Sequence, residues 1–361
     1  MNSNSLSGCP IPRINSYTNW SRLEEVWLGD CYPAHFYDHL ESGVRDVFYE
    51  ITEKTQADLA VIQHKLEEFN VVVQRPVYKD FEGFLKKDGS LLKPQICPRD
   101  HHLVAGNKLI MSSNTHAWDH VVNQYRQDST STVTMQSELH HLGYVCGANA
   151  VRAGKDIYLD LFHYFDRQST LEQQLQEYHQ HVAPFLEDYR VHLLFNGGHV
   201  DGCFAVARPG LLITSRYYTD YDRTFPGWQH INIASPAFST RQLQQGPSYN
   251  GKWWDTGSTL NQTFNDHIVK HALDWVGNYT ETYFEVNCLV IDQKNILMLG
   301  ENERVFRELE QHGITAHSLP FRTRTFWDGG LHCLTLDIRR QDTIIDLFPD
   351  RDQSLYLYNT P

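Results

Sequence analysis

The sequence predicts an α/β fold assembled from small ββαβ units, and three observations carry this reading. A strand–turn–strand pattern recurs along the chain, amphipathic helical stretches lie between its copies, and a short apolar strand follows the helices.

The elements follow in chain order. Residues 56–69 place Leu59, Ile62, Leu66 and Phe69 at helical spacing, and Val71-Val72-Val73 reads as the strand beyond. Residues 103–111 read as a hairpin turning at Gly106-Asn107, where both residue types tolerate positive φ. The same form returns at 151–159 around Gly154, at 204–213 around Pro209-Gly210, and at 289–298 between Asp292 and Asn295. Residues 302–312 place Val305, Phe306 and Leu309 on one helical face, with Gly313 as C-cap and a strand over Ala316–Leu319. The spacing is irregular, and it suggests a radial array of units rather than a doubly wound sheet.

Two stretches read as long loops. Residues 80–96 are polar, and residues 217–262 are rich in aromatics, including Tyr217, Tyr218, Tyr221, Trp228, Trp253 and Trp254. The second reads equally as a lid over a site or as a surface excursion with its own small aromatic core. The whole span 1–361 is otherwise read as one domain.

Composition narrows the function classes. The chain has 361 residues, 41% of them hydrophobic, enough for a large core. A net charge of −13 with no run of Lys or Arg argues against nucleic acid as a partner. No stretch is long and apolar enough to span a bilayer, and the first residues lack a secretory signal. Seven cysteines, an odd number without a paired motif, point to reduced thiols and a cytoplasmic setting. Neither histidines nor cysteines show metal-ligand spacing, so no metal and no cofactor is expected.

Four segments stand out as carriers of chemistry: Cys97-Pro98-Arg99-Asp100, Asn149–Gly154, Gly197–Asp201, and Gly329–Cys333. Each sits at a hairpin edge or beside glycines, where backbone can approach a ligand closely. His199 and Asp201, two apart in an extended segment, face one side. Taken singly, such a pair or any one of the cysteines is an ordinary occurrence.

In order along the chain, the segments resemble the glycine and inosamine-phosphate amidinotransferases. The matching blocks are Asn19–Gly29, Pro98-Arg99-Asp100, Ala148–Gly154, His199-x-Asp201 and Gly329–Arg340. The resemblance implies a pentein fold, a five-bladed pseudosymmetric α/β propeller. It also implies a transferase that moves an amidino group from arginine, or a related guanidino donor, to an amine acceptor, and it leaves a homodimer open. Cys333 is then the nucleophile that carries the amidino group, and His199 the general acid and base. Asp100 and Asp201 clamp the guanidinium, with Asn149, Arg99 and Asn287 as further substrate contacts. Gly329–Arg340 resembles the amidinotransferases more than the guanidine hydrolases of the same fold, which stand as the alternative.

Three positions depart from the family pattern. Cys146 stands where an aspartate is expected to orient the histidine, so Glu138 or Asp160 substitutes for it, the chemistry is altered, or the chain binds without turnover. Tyr218 stands where an arginine, and Glu285 where a serine, is expected to hold the substrate carboxylate. Arg216 or Arg223 is a candidate replacement. Arg339 and Arg340 read as surface ion-pair partners, and His332 and Asp337 carry no assigned role.

Overall fold

A computed structural model describes residues 14–111, 116–135, 146–160, 170–194, 199–215, 220–233, 262–276, 285–300, 302–351 and 356–358. Within them the chain is mixed α/β and forms five small sheets on one plan: an antiparallel pair, a hairpin in four of them, with one strand of the pair joined in parallel by a third. A parallel neighbour cannot be reached by a tight turn, and in each unit the crossover contains a helix.

The hairpin His102–Ala105/Lys108–Met111 takes Thr132–Met135 after the helix Asp119–Tyr125. Ala150–Ala153/Asp156–Asp160 takes Arg190–Leu194 after Leu171–Glu177, and Tyr356–Tyr358 adds an outer parallel strand. Phe204–Arg208/Leu211–Thr214 takes Gln229–Asn232 after Asp220–Thr224. Leu289–Asp292/Asn295–Leu299 takes Thr315–Leu319 after Glu303–Gln311. The fifth sheet is sewn from distant parts of the chain: Thr335–Arg340 pairs with Leu23–Leu28, which pairs in turn with Val72–Gln74 beyond the helix Ser42–Glu68.

The turns explain the hairpins. Gly106, Gly154 and Gly210 hold φ of 61°, 71° and 88°, a region that a Cβ disfavours. The hairpin at 292–295 closes instead through Asp292 Oδ1, which accepts from Lys294 N at 2.7 Å and Asn295 Nδ2 at 3.0 Å.

The helix expected over 56–69 begins fourteen residues earlier, at Ser42. Its first half hides from an apolar pattern because polar residues face inward. Thr52 is buried, and Thr55 Oγ1 accepts from Trp327 Nε1 at 2.9 Å. Within the stretch read as a lid, Gln229–Asn232 belongs to a sheet and Phe225 and Ile231 are buried. The remainder, 234–261, and Tyr218 lie outside the described residues.

Three sheets are joined by one buried carboxylate. Asp337 receives Arg99, Arg152 and Arg340 (Nε at 2.7 Å), and Ser16 Oγ at 3.0 Å. Arg340 is therefore a core residue, 2% exposed, and not the surface partner the sequence suggested; only Arg339 pairs outward, with Glu24 and Glu25. Burial pushes the Asp337 pKa up, but the three guanidiniums outweigh it and hold the carboxyl well below its ordinary value. A depressed folded pKa contributes stability that is present above about pH 4 and lost as pH falls through the folded value. Asp337→Asn should therefore cost about 3–5 kcal/mol in urea unfolding near neutral pH and flatten the acid limb of the stability profile. An unchanged acid limb in the variant would show that Asp337 does not govern it.

Candidate active site

Each of the five sheets is entered through a turn, and each turn carries one polar or nucleophilic residue just before the first hairpin strand. These are Asp100, Asn149, Asp201, Asn287 and Cys333. The short 3-10 turns Pro98–Asp100, Gly147–Asn149 and Val200–Gly202 pack on one another.

Cys333 lies in the turn between Gly330 and Thr335, 4% exposed. Two glycines let neighbours close on it: a Cβ at Gly330 would stand 2.6 Å from Asn287 Oδ1, and one at Gly329 2.8 Å from Cys97 Sγ. Asn287 grips the residue at both ends, because its Nδ2 donates to the sulfur and its Oδ1 accepts from Cys333 N, each at 3.0 Å. Asn287, expected as a substrate contact, thus holds the cysteine. Arg99, also read as a substrate contact, has protein partners. Its Nε donates to the carbonyls of His332 and Thr335 at 2.8 Å and its Nη2 to Asp337, so this fully buried guanidinium braces the cysteine turn from behind.

Asp201 Oδ2 stands 3.6 Å from Cys333 Sγ and accepts from His332 Nδ1 at 2.8 Å. Burial raises the Asp201 pKa, yet the hydrogen bond and charge of His332 prevail, and the carboxyl is held below its usual range. Burial with the adjacent Arg99 pushes His332 down to about 4, so near neutrality it is the uncharged tautomer with the proton on Nδ1. This anchor was missed in the sequence, where the only signal is adjacency to the cysteine.

His199 is the accessible member, its side chain 38% exposed, with Nδ1 4.0 Å from Asp100 Oδ1. Asp100, His199 and Cys333 present atoms all within 4.8 Å of one another, a spacing a small cation could share although no sequence motif signalled it. Burial raises the Asp100 pKa against the pull of His199 and Lys93. Three oxygens of the entry turns lack a hydrogen-bond partner among the described residues: Asp100 Oδ1 and Asp201 Oδ1, whose carboxylates stand at this cluster, and Asn149 Oδ1 in the neighbouring turn. Unpaired acceptors in a buried setting are costly, and they are the mark of a place built for donors that arrive with a ligand.

Cys146 opens the turn that carries Asn149 and is buried. Of its candidate substitutes, Asp160 is fully buried in its strand and Glu138 lies outside the described residues. The carboxylate that faces His199 is Asp100. Glu285 is half-buried in the turn before Asn287, Arg223 is exposed, and Arg216 lies outside the described residues.

No protein-family model matches the chain. Glycine amidinotransferase, mitochondrial, of Gallus gallus is 22% identical over 94% of this chain and 85% of its own length. L-arginine:L-lysine amidinotransferase of Pseudomonas savastanoi pv. phaseolicola is 21% identical over 91% of this chain and 94% of its own. Among solved structures, inosamine-phosphate amidinotransferase StrB1 of Streptomyces griseus superposes with a TM-score of 0.63 at 19% identity, over 92% of this chain and 98% of that one. SxtG, an amidinotransferase of Microseira wollei, gives 0.62 at 19%, over 93% and 100%. This chain is related to the amidinotransferases. The resemblance read from the ordered motifs is therefore shown, and the fold is shared with the two solved transferases. Among the described residues no helix is long and apolar enough to cross a membrane.

The Asn287 amide aimed at sulfur favours the thiolate. Asn287→Ala should slow alkylation of Cys333 by iodoacetamide about tenfold near neutral pH, with the deficit shrinking as pH rises. Equal rates across the pH range would remove Asn287 from that role.

Proposed function

We propose that this amidinotransferase relative moves an amidino group from arginine, or a related guanidino donor, to an amine through a covalent amidino-Cys333. The observation that carries the reading is the gathering of the Asp100 and Asp201 carboxylates, each with one buried oxygen that has no hydrogen bond, at a cysteine sulfur and a half-exposed imidazole. A guanidinium is planar, cationic and rich in N–H donors with no acceptor, so it supplies what those oxygens lack. Held by the carboxylates, its carbon is positioned for attack by Cys333.

In the first half-reaction, thiolate sulfur bonds to the guanidino carbon and electrons of a C=N bond move onto nitrogen. His199 gives its proton to the departing nitrogen, and the C–N bond breaks to release the amine. In the second, His199 takes a proton from the acceptor amine as its nitrogen bonds to the amidino carbon. The C–S bond then breaks and restores the thiolate. His332 keeps the Asp201 carboxylate charged throughout, and Asp100 is the carboxylate turned to His199 in the absence of an aspartate at 146.

We also infer that the five units stand around a common axis as the blades of a pentein propeller, because all five enter through turns that carry the site. The transfer reading predicts that arginine labelled at the guanidino carbon leaves a labelled adduct on Cys333, seen by intact mass, together with ornithine. The adduct then discharges onto an added amine. Cys333→Ala should lose the adduct entirely, and His199→Ala should slow its formation roughly 10²–10⁴-fold. Absence of an adduct across a panel of guanidino donors would sink the proposal, and label appearing in citrulline or urea without an amine would make the protein a hydrolase.

A further inference from the structure

Next to the nucleophile stands a carboxylate that neither the guanidinium clamp nor the fold requires. The helix Arg324–Trp327 ends at Asp328, which adopts a left-handed conformation, φ 54° and ψ 56°. The cap itself needs only the backbone, since Asp328 N donates to Arg324 O at 2.9 Å. Glycine would hold that conformation at lower cost, and glycines occupy the two following positions. Asp and Asn visit this region chiefly when their side chains bond locally to backbone. Asp328 does not use that option with Oδ1, which is buried without a hydrogen-bond partner among the described residues.

The position of this carboxylate is set by its neighbours. Gly329 follows directly, and a Cβ placed there would meet Cys97 Sγ at 2.8 Å and Cys333 Cβ at 3.2 Å, so the backbone leaving Asp328 runs against the nucleophile. Asp328 thus stands one residue from the point where the chain touches Cys333, and Lys93, Asp100 and His199 are the charges that act on it. Burial pushes its pKa up to about 6, with Asp100 adding to the rise and Lys93 and His199 opposing it. The carboxyl is thus a largely ionised, under-compensated group near neutral pH.

We propose that Asp328 is a specificity-determining residue that pairs with a second positive charge on the acceptor, so that the preferred acceptors are amines carrying a further ammonium group. The inference rests on the amidino-transfer reading. While the donor guanidinium, and then the amidino group on Cys333, occupies the Asp100 and Asp201 carboxylates, Asp328 Oδ1 remains a buried acceptor without a hydrogen bond, one residue from the glycine that abuts Cys333. His199 is the base that the acceptor nitrogen must reach. An acceptor bound with one amine neutral and the other as ammonium can bond through the neutral nitrogen, which gives its proton to His199, while the ammonium stays charged against Asp328.

The test forms the Cys333 adduct from arginine and then discharges it with 1,4-diaminobutane or with n-butylamine, which match in length and differ in the second charge. The wild-type protein should prefer the diamine. Asp328→Asn keeps the shape and the tolerance for the left-handed turn, and Asp328→Gly keeps the turn with no side chain. Both variants should form the adduct at a rate within about twofold of wild type and lower the diamine-to-monoamine ratio of kcat/KM tenfold or more. The proposal is overturned if the ratio is unchanged in both variants while the adduct forms normally, or if neither amine discharges the wild-type adduct. Failure of the wild-type protein to form the adduct at all overturns the transfer reading itself, and this inference with it.

Discussion

The buried Asp337 carboxylate is the contact on which the rest of the molecule depends. It draws Arg99, Arg152 and Arg340 into a space without solvent, and each guanidinium brings a different piece of backbone with it. Arg99 continues to the carbonyls of His332 and Thr335, and so ties the turn that holds Asp100 to the turn that holds Cys333. A buried charge cluster of this kind is poor as a source of net stability and strong as a constraint, because removal of one member leaves the others uncompensated. Its consequence here is positional: nucleophile, imidazole and acid lie within 4.8 Å of one another although they come from three sheets.

Charge then separates by depth. At the Asp337 cluster, three arginines face one acid, and the residues are saturated with partners. One layer above, Asp100 and Asp201 face a neutral His332 and a half-exposed His199, and several oxygens have no donor. The lower layer fixes the geometry and the upper layer is left short of positive charge. A planar cation is a chemical complement of that upper layer, in keeping with the proposed guanidino site.

Much of the architecture was legible in the sequence because it rests on local signals. The glycine turns at 106, 154 and 210 announce their hairpins, and the apolar stripe Leu59, Ile62, Leu66 announces its helix. The first half of that helix was not legible, since Thr52 and Thr55 face inward, Thr55 to a polar partner 268 residues away. Among site residues, Cys333, His199, Asp100 and Asp201 meet in one chamber as the ordered motifs suggested. The protein partners of Arg99 and Asn287 were not legible, because sequence order marks proximity to a site and not the direction of a side chain. His332 and Asp328 were invisible for a related reason: an imidazole turned to Asp201 and an aspartate in a left-handed turn are properties of the folded backbone.

The central claim, that two carboxylates grip a guanidinium with its carbon over the sulfur, is tested most directly by a crystal structure of the Cys333→Ala variant soaked with arginine. The account predicts guanidinium nitrogens within hydrogen-bond distance of Asp100 Oδ1 and Asp201 Oδ1, the central carbon facing residue 333, and His199 on the side of the leaving nitrogen. A guanidinium bound elsewhere, with those two oxygens still unpaired or filled only by water, would contradict it.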